Sequence, residues 1–179
     1  MTRYPAIIRT GALVLALLLA GCATNPGLDL DAVRAAEVTN FRAPSDSVLS
    51  SGQPTQAQLR VMADAGVRHV INLRTPEEEV DFDEQAAVEA LGMRYYSIPV
   101  SGAAGINAEN ASSLQAVLAA TGGEPALVHC ATGNRVGGLM AVQAHAAGQS
   151  LDAAIAEGSR WGMTSERLQQ VVRDDLANN

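Results

Sequence analysis

Short apolar runs alternate with longer amphipathic stretches along most of the chain. Three runs have the length and composition of buried β-strands, namely Val67–Leu73, Met93–Val100 and Ala126–Val128. Ser47–Ser50 is a shorter extended piece that precedes them. Pro99 cannot donate to a β-ladder, so the end of the second run is predicted to lie at a sheet edge or exit.

Apolar residues recur at helical spacing between and after these runs. Helices are predicted from a capping box at Thr55 and Gln58 to Gly66, from Glu77 to Leu91, from Ala111 to Ala120, from Val136 to Gly148, from Leu151 to Glu157, and from Thr164 or Ser165 to Leu176. This alternation predicts an α/β domain in which helices flank a mostly parallel sheet of four to five strands. A functional site then belongs at the carboxyl ends of the strands.

The N-terminus departs from this alternation. Arg3 and Arg9 precede an apolar run that is shorter than a typical membrane-spanning helix. The run ends in L-A-G-C. This ending resembles a bacterial lipobox, which implies cleavage before Cys22 and attachment of lipid to it. We therefore expect a lipoprotein signal peptide at residues 1–21, a tether at 22–36 and the folded domain at 37–179. An ordinary secretory signal and an uncleaved anchor are the alternatives.

The lipobox resemblance also implies a location. Ala23, rather than Asp, follows the lipid-bearing Cys22, and this favours the periplasmic face of the outer membrane as the place where the lipid inserts.

The chain has 12 basic and 19 acidic residues and a net charge of −7. An acidic surface of this kind argues against nucleic acid as a partner. No Cys/His cluster has metal-ligand spacing, and we expect neither a metal nor a cofactor.

Candidate chemistry is concentrated in the sequence H-C-A-T-G-N-R at residues 129–135. It places a thiol, Cys130, at the end of a strand and before a helix N-terminus, where backbone amides and the helix dipole favour anions and thiolates. Gly133 allows the loop to bend, and the planar guanidinium of Arg135 suits phosphate or sulfate oxygens. If lipid occupies Cys22, Cys130 is the only remaining thiol and has no internal disulfide partner. A buried structural thiol is the alternative to a nucleophile.

This loop resembles the signature loop of the cysteine-dependent phosphatases of the tyrosine and dual-specificity superfamily. Four residues separate Cys130 from Arg135, where most members have five. Four is the spacing of rhodanese-type sulfurtransferases and of a bacterial branch that includes the beta-lactamase-hydrolase-like phosphatase domains. The segments S-G-Q-P-T at residues 51–55 and V-I-N-L-R at 70–74 resemble the entry of the same bacterial branch. A similar layout occurs in phosphatases that act on inositol pyrophosphates.

The resemblance implies roles for individual residues. Cys130 would be the nucleophile, and a phosphate would be held by Arg135 and by the amides of the loop residues, which are Ala131, Thr132, Gly133, Asn134 and Arg135. His129 would shape the loop through hydrogen bonds. Val136 stands where the family usually has a Ser or Thr that assists departure of the thiolate.

The general acid is less well specified. In the family, an Asp in the loop after the preceding strand protonates the leaving group, but residues 101–106 contain none. Glu109 is the first acid that follows, and its alternative role is to stabilise a helix dipole. Asp46, Asp81 and Asp83 are further candidates.

Three functions fit these residues. The first is a phosphatase that hydrolyses a phosphate monoester or a pyrophosphate-type substrate through a phosphocysteine. The second is an oxyanion-binding pseudophosphatase, which the missing Asp and Val136 favour. The third is a sulfurtransferase, which the four-residue spacing favours. The substrate of the first would be phosphorylated, and its identity is open.

Overall fold

Four parallel strands form the centre of the molecule in a computed structural model that describes residues 27–178. The strands are β1 (Val48–Ser51), β2 (His69–Asn72), β3 (Arg94–Ser97) and β4 (Ala126–His129), in the spatial order β1-β4-β2-β3. The predicted parallel sheet is confirmed, at the lower end of the predicted strand number. Because β4 pairs with both β1 and β2, the residue after β4 leaves from the middle of the sheet.

Burial of the strands explains their sequences. All four residues of β2 and of β4 are buried, as expected for parallel strands covered on both faces. The residues of β3 are exposed or half-buried, and this strand lies at the sheet edge. The edge position predicted from Pro99, which follows β3, is confirmed.

Seven helices flank this sheet in the described part of the chain. They are α1 (Leu30–Ala35), α2 (Gln56–Asp64), α3 (Glu84–Ala90), α4 (Ala108–Ala120), α5 (Asn134–Ala146), α6 (Leu151–Arg160) and α7 (Glu166–Asn178). The side chains of α1–α3 pack on one face of the sheet, and those of α4–α7 pack on the other. The predicted capping box is present, because Thr55 and Gln58 each accept a backbone N–H of the other.

Two sequence predictions fail in the first half of the domain. The helix predicted from Glu77 begins at Glu84, with the Asp83 carboxylate capping it. Residues 77–82 form turns and bends instead, because the Glu78 side chain is drawn toward Arg135. The tether prediction is wrong for residues 30–35, which form α1 and bury Val33 against the domain.

The predicted signal peptide at 1–21 and the predicted lipid site at Cys22 lie outside the described residues. Within residues 27–178, no helix combines the length and the apolar character needed to cross a membrane.

Trp161, which follows α6, is buried, and its indole N–H donates to Glu157 Oε1 at 2.8 Å.

Two adjacent glycines of α5 allow a sharp test of the packing beneath the site. A Cβ at Gly137 would overlap the Gly158 carbonyl oxygen and the Met163 backbone nitrogen. Both are backbone atoms, so neither can move aside without shifting its chain segment. A Cβ at Gly138 would lie 2.6 Å from Ile106 Cδ1, the end of a flexible side chain. We expect Gly137→Ala to lower the free energy of unfolding by at least about 2 kcal/mol in urea titrations, and Gly138→Ala to lower it by clearly less. Equal losses in the two variants would contradict this packing.

Candidate active site

The sequence H-C-A-T-G-N-R occupies the turn between β4 and α5. His129 is the last residue of β4, and Cys130 leaves the sheet beside the carboxyl ends of β1 and β2. The structure therefore places the predicted nucleophile at the predicted edge of the sheet.

Cys130 lies at the base of the loop. Its side chain is 1% exposed, and its Sγ accepts the Gly133 backbone N–H at 3.1 Å. An N–H that points at sulfur stabilises negative charge there. The loop thus encloses the thiol and leaves the sulfur facing its interior amides.

Contacts from outside orient the peptide planes of the loop. The Ala131 carbonyl accepts the Gln53 backbone N–H at 3.2 Å, and the Thr132 carbonyl accepts Asn40 Nδ2 at 2.8 Å. In a trans peptide the N–H points opposite to the C=O, so the amides of Thr132 and Gly133 point inward. This is the arrangement that an oxyanion needs.

Gly133 is required by its backbone conformation and its surroundings. Its φ is +84°, and a Cβ would lie 2.7 Å from Asn40 Nδ2. It precedes α5 without supplying a side-chain cap, and the first amides of α5 therefore remain available to an anion. Asn134 uses its side chain elsewhere, because its Oδ1 accepts the backbone N–H groups of Thr164 and Ser165 at 2.9 Å each.

Arg135 is held by several acceptors. Its Nη1 and Nη2 donate to the two carboxylate oxygens of Glu78 at 2.5 and 2.6 Å, and Nη1 also reaches the Val100 and Leu73 carbonyls at 2.9 and 3.4 Å. Burial disfavours the charge, but hydrogen bonding to Glu78 and electrostatic and hydrogen-bonding interactions with the Cys130 side chain raise the pKa of Arg135 above its usual value. The guanidinium remains a permanent cation beside the sulfur.

Glu78 is the acid that the structure brings to the site. Hydrogen bonding from Arg135 lowers its pKa from 4.5 to about 2, against the opposing effect of burial. Glu78 is ionised throughout the neutral range, so in this arrangement it acts as a counter-ion to Arg135 and has no proton to give to a leaving group.

Behind the loop, a histidine lies beside a second, buried carboxylate. His129 is fully buried, and its Nε2 lies 3.1 Å from Glu84 Oε1 at an angle outside hydrogen-bond geometry. Glu84 accepts hydrogen bonds from Gln53 at 2.8 Å and from Asn72 at 2.9 Å. Burial opposes its ionisation, but interaction with His129, the hydrogen bond from Gln53 and the charge of Arg74 lower the pKa of Glu84 overall. The role of His129 in shaping the loop by hydrogen bonds stays a prediction.

A cavity of about 620 Å³ opens above the loop. Glu78, Thr132, Asn134 and Arg135 line one side of it, and residues of α7 line the other. Cys130 lies beneath this lining. The cavity has the size of a small-molecule site.

The acids named as alternatives in the sequence lie away from this cavity. Glu109 is exposed in the first turn of α4, where a carboxylate complements the helix dipole. Neither Glu109 nor Asp46, Asp81 or Asp83 is among the residues that line the cavity. The role of Glu109 as a general acid stays a prediction.

Sequence reasoning missed three residues at or behind the loop, and only one of them carries a sequence signal that could have revealed its position. Glu78 follows β2 by six positions, and β2 and β4 are neighbours whose carboxyl ends meet at one edge, so its proximity to the loop could have been inferred. Asn40 is 92 residues from Thr132, and no local pattern marks it as a loop ligand. Glu84 has the ordinary signature of a helix first turn.

The Glu78–Arg135 ion pair predicts a pH-dependent contribution to stability. A carboxylate with a depressed pKa stabilises the fold above its unfolded pKa of 4.5, and this contribution is lost as pH falls toward about 2. We expect Glu78→Gln to lower the Tm at pH 7 relative to the wild type and the difference to shrink between pH 4.5 and 2.5. Glu77→Gln removes a neighbouring exposed carboxylate and is the matched control. A Tm difference for Glu78→Gln that is constant over this range would rule out the ion pair as its source.

Solved structures share this fold. A crystal structure from Neisseria meningitidis Z2491, described as a phosphatase, superposes with a TM-score of 0.63 at 22% identity over 78% of this chain and 97% of that one. Pseudomonas aeruginosa TpbA, crystallised in complex with phosphotyrosine, superposes with a TM-score of 0.58 at 22% identity over 79% of this chain and 92% of that one. These similarities show the cysteine-phosphatase-like fold.

Sequence comparison identifies the family. A curated beta-lactamase hydrolase-like protein from Xylella fastidiosa is 37% identical over 89 residues, which are 48% of this chain and 20% of that protein. The chain thus spans only about a fifth of the length of the curated relatives that it matches. The family model for the phosphatase-like domain of beta-lactamase hydrolase-like proteins matches residues 40–158. The chain belongs to this phosphatase-like domain family.

Proposed function

We propose that the protein is a cysteine-dependent phosphatase that hydrolyses a phosphate monoester or pyrophosphate-type bond through a phosphocysteine intermediate. The observation that carries this proposal is the loop itself, which surrounds the Cys130 sulfur with the inward amides of Thr132 and Gly133 and with the Arg135 guanidinium. The family match, which covers the whole loop, supports a phosphatase over a sulfurtransferase.

The chemistry follows from this arrangement. The Cys130 thiolate attacks phosphorus, an S–P bond forms, and the bond from phosphorus to the leaving oxygen breaks, with its electron pair going to that oxygen. Loop amides and Arg135 stabilise the charge on the other phosphate oxygens. Water then attacks phosphorus, the S–P bond breaks, and inorganic phosphate leaves while Cys130 is regenerated.

The acids around the site restrict the leaving group. Glu78 is ionised, and Glu109 does not line the cavity. Without a proton donor, the leaving oxygen has to carry its own charge, and good leaving groups react best. We therefore propose aryl phosphates or pyrophosphates as substrates rather than alkyl phosphates. Phosphotyrosine, present in the TpbA structure, is an aryl phosphate.

A binding function is the second candidate. Val136 is fully buried and offers no hydroxyl to help the thiolate leave in the second step. Slow release of the phosphocysteine would turn the same loop into a module that holds phosphorylated ligands. The two candidates share the binding site and differ only in turnover.

The lipid anchor belongs to the proposal as well. The L-A-G-C sequence supports attachment through Cys22 on the periplasmic face of the outer membrane, with the domain beginning a few residues later at α1. The protein without its first 22 residues is then the form for assays in solution.

Hydrolysis of p-nitrophenyl phosphate tests the phosphatase. We expect the reduced protein to release p-nitrophenol and Cys130→Ser to reduce the rate by at least about 10³-fold while it still binds inorganic phosphate, because only the nucleophile is lost. Activity that survives in Cys130→Ser would exclude the phosphocysteine. No turnover by the wild type, with tight phosphate binding and a free thiol by titration, would establish the binding module instead.

The role of Glu109 has its own test. Because Glu109 is exposed in the first turn of α4, we expect Glu109→Gln to lower the free energy of unfolding by about 0.3–1 kcal/mol and to leave the pH–rate profile between pH 4.5 and 8 unchanged. Loss of the acid-dependent limb of this profile in the variant, without loss of stability, would instead assign Glu109 as the general acid.

A further inference from the structure

We infer that the cavity contains a second anion-binding position at Arg167 and takes a phosphate ester of an apolar group that carries another negative charge. This inference rests on the proposed function for the phosphate itself, which the loop after β4 would hold. Arg167 lies in α7, which forms the opposite side of the same cavity.

Arg167 differs from the other arginines nearby. Arg135 is paired with Glu78, Arg160 with Glu157, and Arg173 with Asp152. Arg167 is exposed at the cavity, and among residues 27–178 its guanidinium has no hydrogen bond or ion pair. It is therefore a cation whose donors are directed to solvent or to a ligand.

The charges of the cavity lining do not balance. Glu78 and Arg135 neutralise each other, and Arg167 leaves one positive charge in the lining of a protein that is acidic overall. The phosphate would be held by loop amides together with Arg135, which leaves Arg167 for another anionic group of the same ligand.

An apolar surface on α7 accompanies this charge. Leu168 and Val171 follow Arg167 on the cavity side of the helix, and Ala103 and Gly102 line the cavity with them. Val171 is 42% exposed and is one of two large apolar residues exposed in the described part of the chain. An aryl or alkyl group placed there would remove this surface from water.

The family match covers only one of the two proposed anion positions. The match ends at residue 158 and includes the phosphate loop, whereas α7 begins at Glu166. Arg167, Leu168 and Val171 therefore follow the matched residues in sequence. Phosphate binding and ligand selection are assigned to different parts of the chain.

Matched substrates test this inference. The probes are 4-(carboxymethyl)phenyl phosphate and 4-(2-carboxyethyl)phenyl phosphate, each paired with its primary amide, so that the leaving phenols are nearly equal and only the charge differs. We expect the wild type to show a kcat/KM for at least one acid that is about threefold or more above that of its amide. Arg167→Gln should bring this ratio close to one.

The control removes a positive charge elsewhere. Arg60 is exposed on α2 and has no hydrogen bond or ion pair within the described residues, and we expect Arg60→Gln to keep the wild-type ratio. A ratio near one for both pairs in the wild type would overturn the inference, as would a raised ratio that persists in Arg167→Gln.

Failure of the phosphatase proposal would be seen separately. If the wild type hydrolyses neither acid nor amide, the same acid-to-amide ratio is read from dissociation constants measured by calorimetry with Cys130→Ser. A binding preference for the acid that Arg167→Gln abolishes in this background supports the second anion position without turnover, and equal affinities for acid and amide overturn it.

Discussion

One guanidinium joins the segments from which the site is built. Arg135 donates to the carbonyl of Leu73 after β2, to the carbonyl of Val100 after β3, and to both carboxylate oxygens of Glu78. These carbonyls lie past the strand ends, and Arg135 supplies a donor to each of them. The loop after β4 is thereby fixed to the exits of two other strands.

This arrangement leaves part of Arg135 for a ligand. A guanidinium has five N–H donors in a fixed plane, and within the described residues the hydrogen bonds of Arg135 to oxygen come from Nη1 and Nη2. No protein oxygen accepts the Nε–H there, and the guanidinium also hydrogen-bonds the Cys130 side chain, so under the proposed function a phosphate oxygen over the sulfur would be bound beside that contact. Glu78 thus fixes the plane of the guanidinium and, by its own charge, keeps the net charge at the loop low until an anion arrives.

The sequence predicted the sheet and the strand–turn–helix position of the loop at residues 129–135 because both depend on local signals. Buried parallel strands appear as apolar runs, and a Cys–Gly–Arg turn between a strand and a helix is visible within a few residues of chain. Glu78 was assigned to a helix start because three consecutive acids suit a helix dipole, and the competing attraction of Arg135 acts over 57 residues of sequence. Asn40 and α1 were missed for a similar reason, since their partners lie far along the chain.

The burial of Cys130 bears on the compartment in which the protein is proposed to work. A solitary thiol outside the cytoplasm is open to oxidation according to its thiolate character and its exposure. At 1% exposure, beneath Thr132 and Gly133, Cys130 presents little surface to oxidants that are larger than a phosphate group. Under the proposed function, a phosphate group in the loop would place its phosphorus over the sulfur, whereas a larger oxidant without anionic oxygens would gain nothing from the amides. The enclosure that would position a phosphorylated substrate therefore also limits the access of larger oxidants to the proposed nucleophile.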